Sequence, residues 1–509
     1  MGARSQPSIG FGTILQYISS FSSLFSGLVF YLIMVRLYAP ATVGTVTLLL
    51  ALSSIISLSF SLGLPAGMQH FMSYYLGQEK FNELSSMAHR VIYISMALGL
   101  FSALFLVLLS GVISTYIFHS PRDSILIEII GVNTFLLIMI SMLNGILLGL
   151  QLFQQSALCS AITSFLSYFI PGCFVILHMG SEAIVIGIII GNLVGMLIFT
   201  VSILRNHFIS DIAGYSSFPL SPLFRYSYPI FLSTLIGTGA AYTDRLIVAY
   251  FLNLFDVGVY NIALIVTTSL SILVTPIGSV ILPKFSQYFS TGDTESIKKW
   301  VNVVTSFLSA VYVPVALSLC VLSFPIILII AGKNYLAGVL PMDLILFSSS
   351  LFLAGNVLYA AISSTRNSKI FLVTSSLSIF SNFTLSVLLI PRLHLVGASL
   401  AYSSMAAVSF VIMSLFSKKL GVISLNLRAL TKIWFSSLVT AGTIFIVWKI
   451  LGNSIWDIGL SIIIAISTYV LIARAVKVLP YGDVDLVFSL MPKQLAILKT
   501  IYMGKTYEQ

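Results

Sequence analysis

Apolar residues run along this chain in blocks of about twenty, each closed by a short polar interval. Fourteen blocks can be marked, with approximate limits 11–36, 43–66, 91–118, 126–150, 155–178, 183–205, 226–251, 257–282, 301–330, 340–362, 370–390, 395–416, 430–451 and 456–476. A helix needs roughly 20 consecutive apolar residues to cross the hydrocarbon core. Backbone groups in lipid must also bond within their own segment. Each block therefore predicts a spanning helix. Transmembrane barrels give short alternating segments instead, and none is seen. The pattern reads as an all-α polytopic membrane protein with about 14 transmembrane helices.

Composition excludes the alternatives. Of 509 residues, 58% are hydrophobic and 8% charged, and the mean hydropathy is +1.06. A soluble domain carries about 25% charged residues, so this chain cannot cover one with polar surface. Disorder, collagen-like repeats and disulfide scaffolds are excluded as well. The net charge of +10 is resolved by its placement. With both termini set inside, 19 of the 25 Lys and Arg residues fall on the inner side, from Arg4 to Lys505. Arg36, Arg122, Lys333, Arg392 and Lys449 fall outside, and Arg245 lies within a span. This is the positive-inside bias, so the charge marks topology and not nucleic acid. The expected location is the cell (plasma) membrane, with both termini cytoplasmic. The first block follows Arg4, is too long for a cleaved signal and lacks a small-residue cleavage site, so it reads as a retained span.

The loops are too short to fold as catalytic domains. The chain has no GxxxxGK[ST], HExxH or GxSxG motif and no paired carboxylates. His119, Arg122 and Asp123 share one short outer turn. No enzyme, cofactor or metal is expected. Cys159, Cys173 and Cys320 all fall in spans without CxxC spacing and read as packed thiols.

Shifting the sequence by 214 residues gives an ungapped internal match. Leu32, Ile33, Val43, Gly44, Phe71 and Tyr74 fall on Leu246, Ile247, Val257, Gly258, Phe285 and Tyr288. Six spans separate the copies, so both insert in one orientation, as a parallel repeat about an axis along the membrane normal. The expected organisation is an N-terminal lobe at 1–215 (spans 1–6) and a C-terminal lobe at 216–425 (spans 7–12). Spans 13–14 and a cytoplasmic tail occupy 426–509. Two six-helix lobes around a central cavity are the build of a transporter.

Ionisable groups in hydrocarbon are costly and therefore functional candidates. Asp244 and Arg245 lie together in span 7, in AAYTDRLIVAYF. Neighbours on a helix point about 100° apart, so the two cannot share one partner. They either line a wet cavity or pair span 7 to its neighbours. Arg36, in MVRLYAP, either snorkels to the interface or contacts an anion at a cavity mouth. His70, in GMQHFMSYY, is a lone interfacial histidine with a structural or a binding role. Arg366 and Lys369 read mainly as topology signals, and Glu128, Glu182 and Asp343 stand near span ends. Pro65, Pro171, Pro229, Pro276, Pro314 and Pro325 mark bends, for hinges or for packing.

Several blocks resemble the oligosaccharide flippases of the multidrug/oligosaccharidyl-lipid/polysaccharide exporter superfamily. These are MVRLYAPATVG at 34–44, SLGLPAGMQHFMSYYLGQ at 61–78 and YPIFLSTLIGTGAAYTDRLIVAYFLNLFDVGVYNIAL at 228–264. LPKFSQYFSTGD at 282–293, AGKNYLAGVLP at 331–341 and LLIPRLHLVGASLAYSS at 388–404 follow in order. The resemblance implies flipping of a polyprenyl-linked oligosaccharide from the inner to the outer leaflet, for surface polysaccharide or glycoprotein assembly. It implies a cavity with cationic side chains for the phosphate headgroup; the matching cavity positions here are the Asp244–Arg245 pair, with Arg36 near the span-1 motif and His70 after span 2. It also implies a groove at spans 13–14 for the prenyl tail. The partners so implied are a lipid-linked oligosaccharide and membrane lipids, with glycan-assembly enzymes as further candidates. A cation-coupled drug antiporter of the same superfamily is the alternative, disfavoured by the absence of acidic residues from spans 1–3 and by 14 spans where 12 are usual. A scaffold or a membrane polymerase fits less well.

Overall fold

The computed structural model describes residues 9–205, 220–274, 285, 287–289, 291–363, 369–422, 425–452 and 454–478. Arg4, Pro276, Lys284, Arg366, Lys493, Lys499 and Lys505 lie outside the described residues. Every regular element described is helical. The helices are α1 (Ile9–Leu37), α2 (Pro40–Ser61), α3 (Leu64–Gly77), α4 (Phe81–Tyr116), α5 (Ser124–Gly149), α6 (Phe153–Ile176), α7 (Ser181–Leu204), α8 (Leu220–Phe251) and α9 (Leu254–Ser269). They continue as α10 (Thr294–Val321), α11 (Ser323–Ile330), α12 (Val339–Leu351), α13 (Ala354–Ser363), α14 (Lys369–Lys419), α15 (Leu427–Leu451) and α16 (Ile455–Ala475).

Among the described residues, ten helices are long and apolar enough to cross a membrane, or eleven if the bent pair 333–363 counts as one span. Fourteen were expected, and the difference has local causes. Helix α8 has the length, but Arg225, Asp244, Arg245 and a run of hydroxylated residues lower its hydropathy. Helix α9 is 16 residues long and passes into a 3-10 turn at Leu270–Leu273. Expected spans 11 and 12 abut within α14, where His394 breaks the helix at φ 51°, ψ −130°. Outward-facing apolar side chains such as Leu108, Leu177, Phe380, Ile463 and Trp456 suit lipid contact.

Two compact units partition the chain, Met1–Gly258 and Val259–Gln509. In the first, helix α8 packs on α2 and α3. Leu62 (φ 49°) and Gly63 (φ 69°) turn the chain out of α2, and Pro65 opens α3. This short helix was not expected from the sequence. Helices α6 and α7 approach closely because Gly187, Gly191 and Gly195, spaced by four, form one smooth face. A β-carbon at Gly191 would stand 2.6 Å from Ser167 Cα, and one at Gly187 2.9 Å from Pro171 Cα. Small residues let membrane helices meet by dispersion alone, where no hydrophobic force separates helix from lipid.

A buried chain of amides then ties four helices of this unit. Ser167 Oγ donates to Asn192 Oδ1 (2.6 Å), Asn192 Nδ2 to Asn133 Oδ1 (2.7 Å) and Asn133 Nδ2 to Ser53 Oγ (2.8 Å). Asn133 is 1% exposed. Interhelical hydrogen bonds in membranes contribute about 0.6 kcal/mol each and up to about 1.7. Asn133→Leu breaks two of them and strands the Asn192 amide, so the thermal midpoint of the purified protein should fall by several degrees. An unchanged midpoint would show that the chain of amides is not a stabilising tie.

The same unit holds a reciprocal contact. A β-carbon on Gly44 would collide with the Leu254 carbonyl, and one on Gly258 with the Pro40 carbonyl. The 214-residue offset pairs Gly44 with Gly258 and Pro40 with Leu254. Matching residues of the internal match therefore meet each other, each copy lending a carbonyl to the other's glycine.

In the second unit, α10 packs against α12, α13 and α15. Asp293 caps α10 by accepting from Ser296 N (3.0 Å) and Ser296 Oγ (2.6 Å), bonds that hold its carboxyl below the usual carboxylate range. Helices α15 and α16 form a hairpin in which Ser454 and Asp457 make a capping box.

Candidate functional site

The residues singled out from the sequence are not brought together as one cluster. Helix α2 separates Arg36, in the last turn of α1, from His70 on α3. Its 22 residues at 1.5 Å rise span roughly 33 Å, about the thickness of a membrane core. Helix α8 runs back along it, with Ser227 and Phe231 against Gly63, and leads into α9, whose Leu254 and Gly258 lie against Gly44 and Pro40. Arg245 therefore lies in the half of the unit nearer Arg36, and His70 stands at the far end. His70 stacks on Tyr226 at 4.2 Å between ring centroids, 12° from parallel, with Phe71 edge-on. His119, in the turn before α5, donates from Nε2 to the Tyr250 carbonyl at 3.2 Å.

The two adjacent residues of α8 take opposite environments, as their 100° separation requires. Asp244 is 3% exposed, within the packing, whereas Arg245 is half-buried. The Arg245 guanidinium lies over the Tyr242 ring, 5.9 Å from its centroid. Tyr31 of α1 and Tyr168 of α6 lie within its electrostatic reach. Phe30 supports both tyrosines, at 5.3 and 5.7 Å between ring centroids. Gly27 clears the space in which the Tyr168 ring sits, 3.2 Å from where a β-carbon would stand. One cation thus lies over one phenol, with two more from two other helices in its electrostatic neighbourhood.

One turn below Arg245, Tyr242 forms the edge of a cavity of about 380 Å³ within the first unit. Ser54, Ser57 and Ser61 line it from α2, Ser141 from α5 and Thr234 from α8. Each of these hydroxyls donates to a carbonyl of its own helix, at 2.8–3.0 Å, which leaves oxygen lone pairs toward the cavity. Gly63, Pro65 and Ala66 at the turn into α3 close one side. The serines recur at i, i+3 and i+7 in SSIISLSFS, a polar stripe that helical periodicity would have revealed. Asp244 is not among the lining residues. No group of three or more His, Cys, Asp or Glu suited to a metal occurs among the described residues.

Chemically, this region offers a fixed cation, phenols that donate and accept, and a wall of hydroxyl oxygens. That set suits an anion attached to a polyhydroxylated body.

Comparison with known proteins gives the frame for this site. No curated protein matches the sequence. The fold is similar to that of the lipid II flippase MurJ in an inward closed conformation. The TM-score is 0.74 at 18% identity, covering 91% of this chain and 98% of that one. It is similar to an inward-facing multidrug resistance MATE family transporter of the MOP superfamily, at TM-score 0.65 and 15% identity, over 79% of this chain and 94% of that one. A variant of the Vibrio cholerae MATE transporter VcmN follows at TM-score 0.52 and 16% identity, over 81% and 97%. Flippases and transporters thus share this architecture. A sequence model of the polysaccharide biosynthesis protein family matches residues 33–340, more than half of the chain, and the protein belongs to that family.

Proposed function

We propose that this protein moves an oligosaccharide linked to a lipid phosphate or pyrophosphate from the inner to the outer leaflet, by alternating access and without chemistry of its own. The observation that carries the reading is Arg245, a half-buried guanidinium inside the membrane helices, set over Tyr242 beside a hydroxyl-lined cavity. A guanidinium presents paired donors that match phosphate oxygens, and charge-assisted bonds of this kind are roughly twice as strong as neutral ones. The MurJ-like fold adds that a chain of this architecture handles a lipid-linked headgroup. The lipid tail stays in the bilayer, since exposing it to water costs about 0.8 kcal/mol per CH₂. Arg36 acts at the outer mouth, and His70 stands at the inner end on its stacked tyrosine. The protein resides in the plasma membrane with both termini cytoplasmic, and glycan-assembly enzymes are its natural partners. A cation-coupled antiporter needs an accessible deep carboxylate, whereas Asp244 is buried in the packing.

Mass spectrometry of lipid extracts from cells lacking the protein tests this. A complete lipid-linked glycan should accumulate, shielded from a glycosidase added outside. No accumulation, together with new sensitivity to cationic compounds, would transfer the reading to the antiporter.

A further inference from the structure

The second unit contains a cavity of its own, with different chemistry. Its volume is about 490 Å³, within the ~300–1,000 Å³ of small-molecule sites. None of its lining residues is charged. Tyr312 comes from α10, Ser349 from α12, Asn356 and Tyr359 from α13, and Tyr402 and Ser409 from α14. The Tyr312 hydroxyl donates to Ser349 Oγ at 3.0 Å. Asn356 and Tyr359 are exposed although they sit on a membrane-embedded segment. An exposed amide at that depth faces water, because hydrocarbon offers it no partner.

A second observation falls at the same place. The helix through this region is broken: Lys333–Leu351 and Ala354–Ser363 meet at 51°. Phe352 and Leu353, at the break, both line the cavity. An interrupted helix releases backbone carbonyls. Irregular backbone at membrane depth is tolerated where it lines a water-filled cavity, and such breaks are where transporters build their binding sites.

Charge and shape narrow the ligand. A phosphate or carboxylate would find no cation here, and an organic cation would find no carboxylate. Three tyrosine rings offer flat apolar faces, while an amide and several hydroxyls supply donors and acceptors between them. A ring with C–H groups on its faces and hydroxyls at its edge satisfies both. We propose that this cavity binds an uncharged sugar ring, and, resting on the flippase reading, that the ring belongs to the glycan being moved. The molecule then carries two sites of different chemistry: a cationic one around Arg245 for the headgroup and a neutral one at the α12–α13 break for sugar.

The test is saturation-transfer NMR on the full chain in detergent, with methyl glycosides of glucose, galactose, N-acetylglucosamine, N-acetylgalactosamine and rhamnose as probes. At least one should receive saturation. Asn356→Leu and Tyr402→Phe should each weaken that signal about tenfold, while Gly111→Leu, with nothing within 4 Å of its β-carbon position, leaves it unchanged. Elution as a single species in size exclusion shows that each variant is folded. Binding of no methyl glycoside, or binding unaltered by both cavity variants, overturns the proposal. So does preferential binding of tetraphenylphosphonium that Asn356→Leu abolishes. Sugar binding in a protein whose loss causes no lipid-linked glycan to accumulate would keep the site and reject the flippase reading. Accumulation without sugar binding would do the reverse.

Discussion

Cells whose only copy carries Arg245→Ala should export no glycan, with the protein present in the membrane at normal level. Arg245 is the cation of the Tyr31–Tyr168–Tyr242 cluster, and alanine removes charge, donors and the contact over the Tyr242 ring together. A hydrogen bond to a charged group contributes about 1.5–3 kcal/mol, so a headgroup held by two such bonds loses a hundredfold or more. Arg245→Lys separates the causes. It keeps the charge but not the planar fork, and should restore a small part of the export. Quantitative glycan labelling at the cell surface, against protein level by immunoblot, measures both. Normal export from a well-expressed Arg245→Ala protein would remove this residue from the mechanism.

Gly191→Leu should prevent the first unit from assembling. The α6 backbone already stands 2.6–2.7 Å from the place its β-carbon would occupy, at Ser167 and the Leu166 carbonyl. A flexible neighbour could yield, but backbone cannot without separating the helices. Overpacking costs about 1–3 kcal/mol in a tolerant core and more in a rigid one. Separation here would also pull Asn192, the next residue, from Ser167 and Asn133. The measurement is recovery of monodisperse protein from membranes, expected to fall at least tenfold. Gly111→Leu is the control, since nothing lies within 4 Å of its β-carbon position. Equal recovery of both variants would refute the packing argument.

The helical class and the membrane setting were legible because twenty-residue apolar blocks have one physical solution. Boundaries were less so. Helix α3 was hidden because its start depends on left-handed backbone at Leu62 and Gly63, and its apolar and polar residues read as a loop. The break between α12 and α13 lies inside a block that reads as one span, and the three serines before it and Gly355–Asn356 after it are its only signal in the sequence. At the candidate site, charge drew attention to Arg245 but was silent about its surroundings. Tyr31 and Tyr168 lie more than a hundred residues apart in sequence and meet through the packing of α1 on α6. His70 shows the opposite limit. Its residue type drew attention, and its observed contact is an aromatic stack with Tyr226 at the far end of α2.

The meeting of Gly44 with the Leu254 carbonyl, and of Gly258 with the Pro40 carbonyl, has the form of an isologous interface, in which i meets j and j meets i. Here one chain makes that interface with itself. Neither side has room for a β-carbon, so both positions demand glycine for the same contact. At this crossing each helix denies the other a side chain, so one separation is fixed from both sides at once and a methyl group added on either side would push the same two backbones apart.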